Sequence, residues 1–310
     1  MAKEQIKTSI GGEALIEGIM MRGPKISAMA NRLPDGSIDV ELLDFHPVKD
    51  RYPVLGLPFI RGSVNFVEMM ITSYRCLTKA AKKAGLEEEE DPSPFEQKLS
   101  KLFGDKFADV LMGFSAVLGV LLALGLFLVL PTLAVKLLNF WIPVGGFASL
   151  IEGVIKIGIF VLYLALVSKM EEMHRLFGYH GAEHKTIACY EAGDDLTVEN
   201  VRKYCRFHPR CGTSFLLITL VISILVASVV TWESALLRVA LKLLMLPLVV
   251  GISYEIIRLA GRHDNLATRI VSAPGLWMQR LTTKEPDDSM IEVAIAAVTP
   301  VIPEDHSDRI

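Results

Sequence analysis

The feature that most constrains this chain is a stretch of 26 residues, Val110 to Val135, that contains no charged side chain. A helix rises about 1.5 Å per residue, so about 20 apolar residues are enough to cross the hydrocarbon core of a bilayer. The composition agrees, because 51% of the residues are hydrophobic and the mean hydropathy is +0.41. Such values are typical of chains with membrane spans. We therefore predict an integral membrane protein.

Three further segments are candidates for membrane spans. Gly212–Trp232 is uncharged throughout. Segment 149–168 carries Glu152 and Lys156 at the i,i+4 spacing of a helical ion pair, and segment 235–257 carries three charged residues. These last two segments have an alternative interpretation as interfacial or re-entrant helices. We predict four spans, because an even number leaves both polar ends of the chain on the same side.

The distribution of positive charge predicts the orientation of these spans. Of the 32 Lys and Arg residues, 15 lie in residues 1–107, 7 in 169–214 and 6 in 258–310, whereas the connection at 131–150 holds one lysine. Cytoplasmic loops carry an excess of Lys and Arg, so we expect both termini and 169–214 in the cytoplasm. The chain then divides into a cytosolic N-terminal region at 1–107, a membrane region at 108–257 and a cytosolic tail at 258–310, with the spans in the inner (plasma) membrane.

Composition also limits the partners. The formal net charge is only −3, which gives no basic footprint, so we expect no nucleic-acid partner. The spacing of the 4 cysteines does not resemble a secreted disulfide framework, and the N-terminus does not resemble a signal peptide. No Walker phosphate loop is present, which argues against an ATPase. The expected partners are the lipid bilayer and, as further candidates, other membrane proteins.

The N-terminal region is predicted to form a small α+β domain, so the fold class is mainly α with a small β component. Residues 25–48 alternate in the manner of two strands joined by the turn sequence PDG at 34–36. Residues 62–85 predict an amphipathic helix that ends at a glycine. An acidic linker at 87–94 and a second polar helix near 95–107 lead to the first span.

The C-terminal tail contains two recognisable segments. Residues 275–286 are interpreted as an irregular, packed segment. Residues 287–298 begin with two aspartates and continue with an apolar face. Acidic side chains are favourable at a helix N-terminus, so these residues predict a helix.

The motif that carries chemistry is HGAEH, at residues 180–184. His180 and His184 stand one helical turn apart on one face, which lets two imidazoles reach one metal ion. Glu183 is placed to act on metal-held water, and the order H-x-x-E-H is the inverted zincin pattern. Lys185 could stabilise an oxyanion or hold an anionic substrate. The alternative is a polar helix end that faces lipid headgroups.

A catalytic zinc site needs a third protein ligand, and the chain offers His208, Cys211 and Glu255. Cys205, His208 and Cys211 stand three residues apart, so they could instead form a separate structural zinc site, or the cysteines could be ordinary buried thiols. Glu255 could instead pair with Arg258. We expect a divalent metal with zinc preferred, although imidazole also suits iron, copper and nickel.

Four motifs together resemble the YqhQ family of bacterial membrane proteins of unknown function, described as predicted metal-dependent enzymes. They are GGEALIEGIMMRGP, YHGAEHKTI, HPRCGTSF and LTTKEPDDSMIEVAIAA, and the resemblance extends from about Gly11 to Val298. It implies an integral membrane protein with a metal site. It implies no substrate.

Two functions follow as hypotheses. The first is a metal-dependent hydrolase at the cytoplasmic face of the membrane, acting on a lipid-linked substrate or a membrane-protein segment. The second is a non-enzymatic accessory or scaffold subunit of a membrane complex for insertion or transport, in which the metal site is structural. The glycine-rich N-terminal motif slightly favours the second hypothesis, since it contains no catalytic constellation.

Overall fold

The chain is mainly helical, with one small antiparallel sheet near its N-terminus, as the sequence predicts. A computed structural model describes residues 6–44, 47–85, 107–229, 235–263 and 265–309. The predicted linker at 87–94 lies outside these ranges, as does nearly all of the predicted helix near 95–107.

The sheet has four strands in the order β1-β2-β3-β4, namely Gly11–Leu15, Gly18–Arg22, Ser27–Arg32 and Ile38–Leu43. The predicted hairpin is β3–β4, in which Arg32 pairs with Ile38 and Gly36 has a φ of +86° in the turn. A positive φ suits glycine, which has no Cβ. The glycine-rich motif before this hairpin, for which the sequence predicts no strands, forms β1 and β2.

Twelve helices are described: α1 (Val48–Arg51), α2 (Ile60–Lys83), α3 (Phe107–Leu124), α4 (Leu130–Trp141), α5 (Ala148–Val167), α6 (Glu171–Glu191), α7 (Val198–Arg202), α8 (Gly212–Val229), α9 (Ala235–Leu244), α10 (Leu246–Arg262), α11 (Leu266–Thr282) and α12 (Asp288–Val298). Helices α2 and α12 agree with the predicted ones. The prediction of an irregular segment at 275–286 is wrong for most of its length. Residues 275–282 belong to helix α11, and only 283–286 are extended.

Two described helices are long and apolar enough to cross a membrane, Val117–Trp141 and Gly145–Val167. The first joins α3 to α4 through a π-helical turn at Gly125–Val129. Most of their side chains are exposed on the isolated chain; Leu122, for example, is 64% exposed. A large exposed apolar surface of this kind suits contact with lipid. This supports a membrane protein, and it favours the span over the interfacial alternative for segment 149–168.

The other two predicted spans are less regular in the described residues. Helix α8 is apolar, and its stretch Gly212–Ser228 is shorter than the two long helices. Segment 235–257 is divided at Met245 into α9 and α10, with Pro247 in the first turn of α10. Proline lacks a backbone N–H and suits a helix start. Two spans are thus supported, and four spans stay a prediction.

One charge pairing differs from the sequence prediction. Glu152 of α5 does not form an ion pair with Lys156 on its own helix, but with Lys242 of α9. Helical spacing favours an i,i+4 pair only weakly, and a neighbouring helix supplies a closer partner here. The consequence is that α5 and α9 are joined by an ion pair whose carboxylate is buried.

The sheet is covered on both faces. Side chains of a strand alternate between faces, so Ile19 and Met21 of β2 contribute to the core that contains α6, α7 and α12, whereas Met20 packs in a second cluster with Cys76 and Ala80 of α2. The three predicted cytosolic segments 1–107, 169–214 and 258–310 therefore contribute to one hydrophobic core. This core fixes α6, which carries the HGAEH motif.

Candidate functional site

Helix α6 is held by the extended segment that follows α11. The amide of Lys284 donates to the carbonyl of Phe177 at 2.8 Å. A Cβ at Gly181 would lie 2.0 Å from the carbonyl oxygen of Lys284, so only glycine allows the segment to pass this close. The glycine inside HGAEH therefore lets the LTTKEP segment (residues 281–286, which includes the end of α11) pack directly on α6.

The two histidines of the motif have the same hydrogen-bond arrangement. Nδ1 of His180 lies 2.8 Å from the carbonyl oxygen of Thr282, and Nδ1 of His184 lies 2.6 Å from that of Arg206. A carbonyl only accepts hydrogen bonds, so each Nδ1 carries the proton and donates. Burial lowers the pKa of His184, which favours the neutral ring. Because Nδ1 of each ring is directed to a backbone carbonyl, Nε2 is the ring nitrogen left to contact a ligand.

Cys211 completes the arrangement. Its Sγ lies 3.1 Å from Nε2 of His180, and the two histidine rings are 4.4 Å apart. One ligand atom from each of His180, His184 and Cys211 lies within 4.8 Å of the others, the one such grouping among the described residues. The amide of Thr213 also donates to the sulfur at 3.4 Å. Two imidazoles and one thiol are thus brought together at the start of α8.

His208 is close to this grouping and has different partners. Its ring centroid lies 5.6 Å from that of His184, and its Nε2 lies 3.5 Å from a carboxylate oxygen of Glu191. The buried side chain of Gln279 accepts from the His208 amide and donates to its carbonyl. Of the proposed third ligands, the geometry therefore brings Cys211 rather than His208 to the histidine pair.

Two other candidates lie elsewhere. Cys205 is exposed and its sulfur accepts from the Phe207 amide, so the described structure does not assemble a separate Cys205, His208 and Cys211 site. Glu255 forms a bidentate ion pair with Arg61 of α2, with contacts of 2.7 and 2.5 Å. The carboxylate of Glu255 therefore joins α10 to α2 and does not belong to the histidine grouping, and its partner is not the Arg258 considered from sequence.

Glu183 is buried and faces β1. The amide of Gly12 donates to its Oε1 at 3.0 Å, whereas its Oε2 has no hydrogen-bond partner among the described residues. Burial raises the pKa of Glu183, and the nearby His180 opposes that rise. Burial also raises the pKa of Glu13 on β1; a hydrogen bond from Ser73 opposes this, and the charge of Glu183 adds to it. Glu183 is thus next to the grouping without belonging to it.

Lys185 has a different environment from the one suggested by its sequence position. Its buried ammonium donates to the carbonyl of Arg202 at 3.1 Å and forms an ion pair with Glu285. Arg206 also contacts Glu285, at 3.2 Å. With two acceptors already in place, Lys185 joins α6 to α7 and the LTTKEP segment in the structure.

Several residues at the site were not identified from sequence. Thr282 orients His180, Gln279 fixes the backbone at His208, and Gly12 orients Glu183. Thr282 and Gly12 act through their own main-chain groups, and Gln279 acts on the main chain of His208. The residue type alone does not reveal such contacts. The only available signal was position, since all three lie within or beside the quoted motifs.

Fold and site together define a mainly α protein with two helices long and apolar enough to cross a membrane and a grouping of two histidines and a cysteine, of which His184 and Cys211 are buried. Residues 57–304 match the family model DUF1385, described as "Protein of unknown function", and the chain belongs to this family. It is 33% identical over 296 residues to the "Uncharacterized protein YqhQ" of Bacillus subtilis (strain 168), which covers 95% of this chain and 92% of that protein. The family resemblance inferred from the motifs is therefore confirmed. No solved structure matches the chain.

Proposed function

We propose that this protein is a metal-dependent hydrolase at the cytoplasmic face of the bacterial inner membrane, with His180, His184 and Cys211 as metal ligands. One observation carries the proposal: a nitrogen from each imidazole and the Cys211 sulfur lie within 4.8 Å of one another. Segments that are distant in sequence bring these atoms together, so the grouping is a product of the fold.

The donor set suits zinc. Imidazole nitrogen and thiolate sulfur are usual zinc ligands, and catalytic sites use three protein ligands with a fourth position open. The Nδ1–H of each imidazole also donates a hydrogen bond to a backbone carbonyl, that of Thr282 for His180 and that of Arg206 for His184. Metal-binding histidines usually make such outer hydrogen bonds, which orient the ring.

Glu183 supplies the acid–base chemistry in this proposal. A bound zinc ion would polarise the substrate and lower the pKa of water. The buried Glu183 has one oxygen held by Gly12 and the other without a partner among the described residues. The second oxygen accepts a proton from the attacking water and returns it to the leaving group, as a general base and then acid.

The substrate in this proposal comes from the membrane. Cys211 immediately precedes α8, which is apolar along its length. We infer that α8 is the third of four spans and that both termini are cytoplasmic, because 28 of the 32 Lys and Arg lie in 1–107, 169–214 and 258–310. A lipid-linked substrate or a membrane-protein segment would then reach the site from the adjacent bilayer.

A second function has an observation in its favour. His184 is 1% exposed and Cys211 is 6% exposed, and their partners join α6, the start of α8 and the end of α11. A metal held there would tie these elements together, as structural zinc does in small domains. The protein would then be an accessory or scaffold subunit of a membrane complex for insertion or transport.

Metal content tests the ligand set. Purified wild-type protein should contain a single zinc ion per chain, and His184→Ala should lose most of it. The matched control is His174→Ala, which removes an exposed histidine of the same helix and should retain the metal. Equal metal content in the two variants would refute the ligand assignment.

Glu183→Gln separates the two functions. Glutamine keeps the oxygen that accepts from the Gly12 amide but cannot take a proton. If the protein is a hydrolase, metal content and protein abundance should stay at the wild-type level while complementation of a deletion strain is lost. The turnover rate should fall by about 10²–10⁴-fold. Full complementation at normal abundance would instead favour the accessory subunit.

A further inference from the structure

A cavity of about 370 Å³ lies among the apolar helices, away from the histidine grouping. Residues from five helices and from the π-helical turn line it, among them Val120, Phe127, Lys156, Ser223, Lys242 and Val249. The volume falls within the range of about 300–1,000 Å³ that small-molecule sites occupy. Its wall is apolar except for the two lysines and the serine.

The charges at this cavity are unbalanced. Lys242 forms an ion pair with the buried Glu152, which also accepts from the Thr132 hydroxyl at 3.3 Å. Lys156 is only 9% exposed, and no carboxylate of the described ranges lies within ion-pair distance of its ammonium. A cation buried at membrane depth is costly unless an anion accompanies it. Lys156 therefore lines the cavity without a carboxylate partner of its own among the described residues.

The cavity also reaches the outer surface of the helices. Val120, Leu243 and Leu246 line it, and these side chains are 60%, 45% and 52% exposed. In a bilayer these residues would contact lipid chains. An alkyl chain could therefore enter from the side without leaving an apolar environment.

We propose that this cavity binds an anionic amphiphile, whose carboxylate or phosphate group contacts Lys156 beside the Glu152–Lys242 pair and whose alkyl chain lies against the apolar wall. The charge excess selects the anion, and the apolar wall with its lateral opening selects the chain. This site is separate from the proposed hydrolase site and does not depend on a metal there.

Photolabelling in phosphatidylcholine nanodiscs tests the proposal, with a diazirine derivative of palmitate as the probe on the full-length protein. Palmitate and dodecyl phosphate are the anionic competitors, methyl palmitate is the neutral one, and inorganic phosphate tests a free anion. The variants are Lys156→Met, Lys156→Arg and Ala227→Phe, which fills the cavity with the lysine intact. The matched control is Lys136→Met, an exposed lysine of α4.

We expect the label on peptides from α3, α9 and α10, and both anionic amphiphiles should displace it. Lys156→Met should weaken probe binding by about tenfold, the loss expected for one charge-assisted contact. Lys156→Arg and Lys136→Met should bind as the wild type does, and Ala227→Phe should lose the label. Equal competition by methyl palmitate, displacement by inorganic phosphate alone, or unchanged labelling in both Lys156→Met and Ala227→Phe would overturn the proposal.

Discussion

Gly181→Ala is the substitution whose effect the geometry of the site defines most sharply. The added Cβ would lie 2.0 Å from the carbonyl oxygen of Lys284. That oxygen belongs to the backbone segment that also supplies the carbonyl partner of His180 and the Glu285 partner of Lys185. The segment must therefore move by more than 1 Å, which is roughly the shortfall from an ordinary contact distance.

Two terms determine the expected magnitude. Alanine is more favourable than glycine inside a helix by about 1 kcal/mol. Overpacking that forces a backbone shift costs typically about 1–3 kcal/mol, and a rigid carbonyl neighbour places Gly181 at the upper end. The net loss in the free energy of unfolding is about 2 kcal/mol. For a folded unit of about 150–250 residues this corresponds to a fall in Tm of about 4–8 °C.

Gly178→Ala is the matched control on the same helix. A Cβ there would lie 2.7 Å from the sulfur of Met290, the flexible end of a side chain that can rotate away. Thermal unfolding of both variants in detergent, together with their zinc content, checks the reasoning. Gly181→Ala should fall further in Tm than Gly178→Ala and should lose metal. An unchanged Tm and metal content in Gly181→Ala would show that the close approach to Lys284 is wrong.

Two further predictions concern the ligands and the topology. Cys211→Ser should lose most of the bound zinc, whereas the exposed Cys205→Ser should retain it; equal content in both would exclude Cys211 as a ligand. The topology is tested with single cysteines introduced into a variant that lacks Cys205. A cysteine in place of Gly146, where a Cβ meets nothing within 4 Å, should label from outside the cell. A cysteine in place of the exposed Glu199 should not. External labelling at position 199 would reverse the proposed orientation.

Local patterns in the sequence predicted the elements that local forces determine. The PDG turn gave the β3–β4 hairpin, the glycine at position 85 gave the end of α2, and the paired aspartates gave α12. The i,i+4 histidines were likewise predicted to share one face, and the structure brings their rings to 4.4 Å. In each case the interacting groups lie within a few residues of one another.

Tertiary contacts account for what the sequence did not reveal. Strands β1 and β2 are glycine-rich and weak by propensity, yet helices cover both faces of the sheet they join. His208, Cys211 and Glu255 were all candidate third ligands along the chain, and the ion pair of Glu255 with Arg61 is visible only in the folded structure. The partner of Glu152 on α9 is 90 residues away, so helical spacing could not identify it.

The assembly of the site from distant segments also explains why metal removal cannot distinguish the two proposed functions. His180 and His184 lie on α6, whereas Cys211 precedes α8, so the grouping exists only in the folded chain. A ligand that binds only the folded state stabilises it, by about 2.7 kcal/mol at a hundred times its Kd. A chelator would therefore destabilise the folded chain whether the site is catalytic or structural, and the cellular function of the protein would fall in both cases. Glu183 differs because it lies outside the ligand grouping, and the Gly12 amide holds its Oε1. Replacing it changes proton transfer and leaves the ligands in place, which makes Glu183→Gln the variant that distinguishes an enzyme from a scaffold.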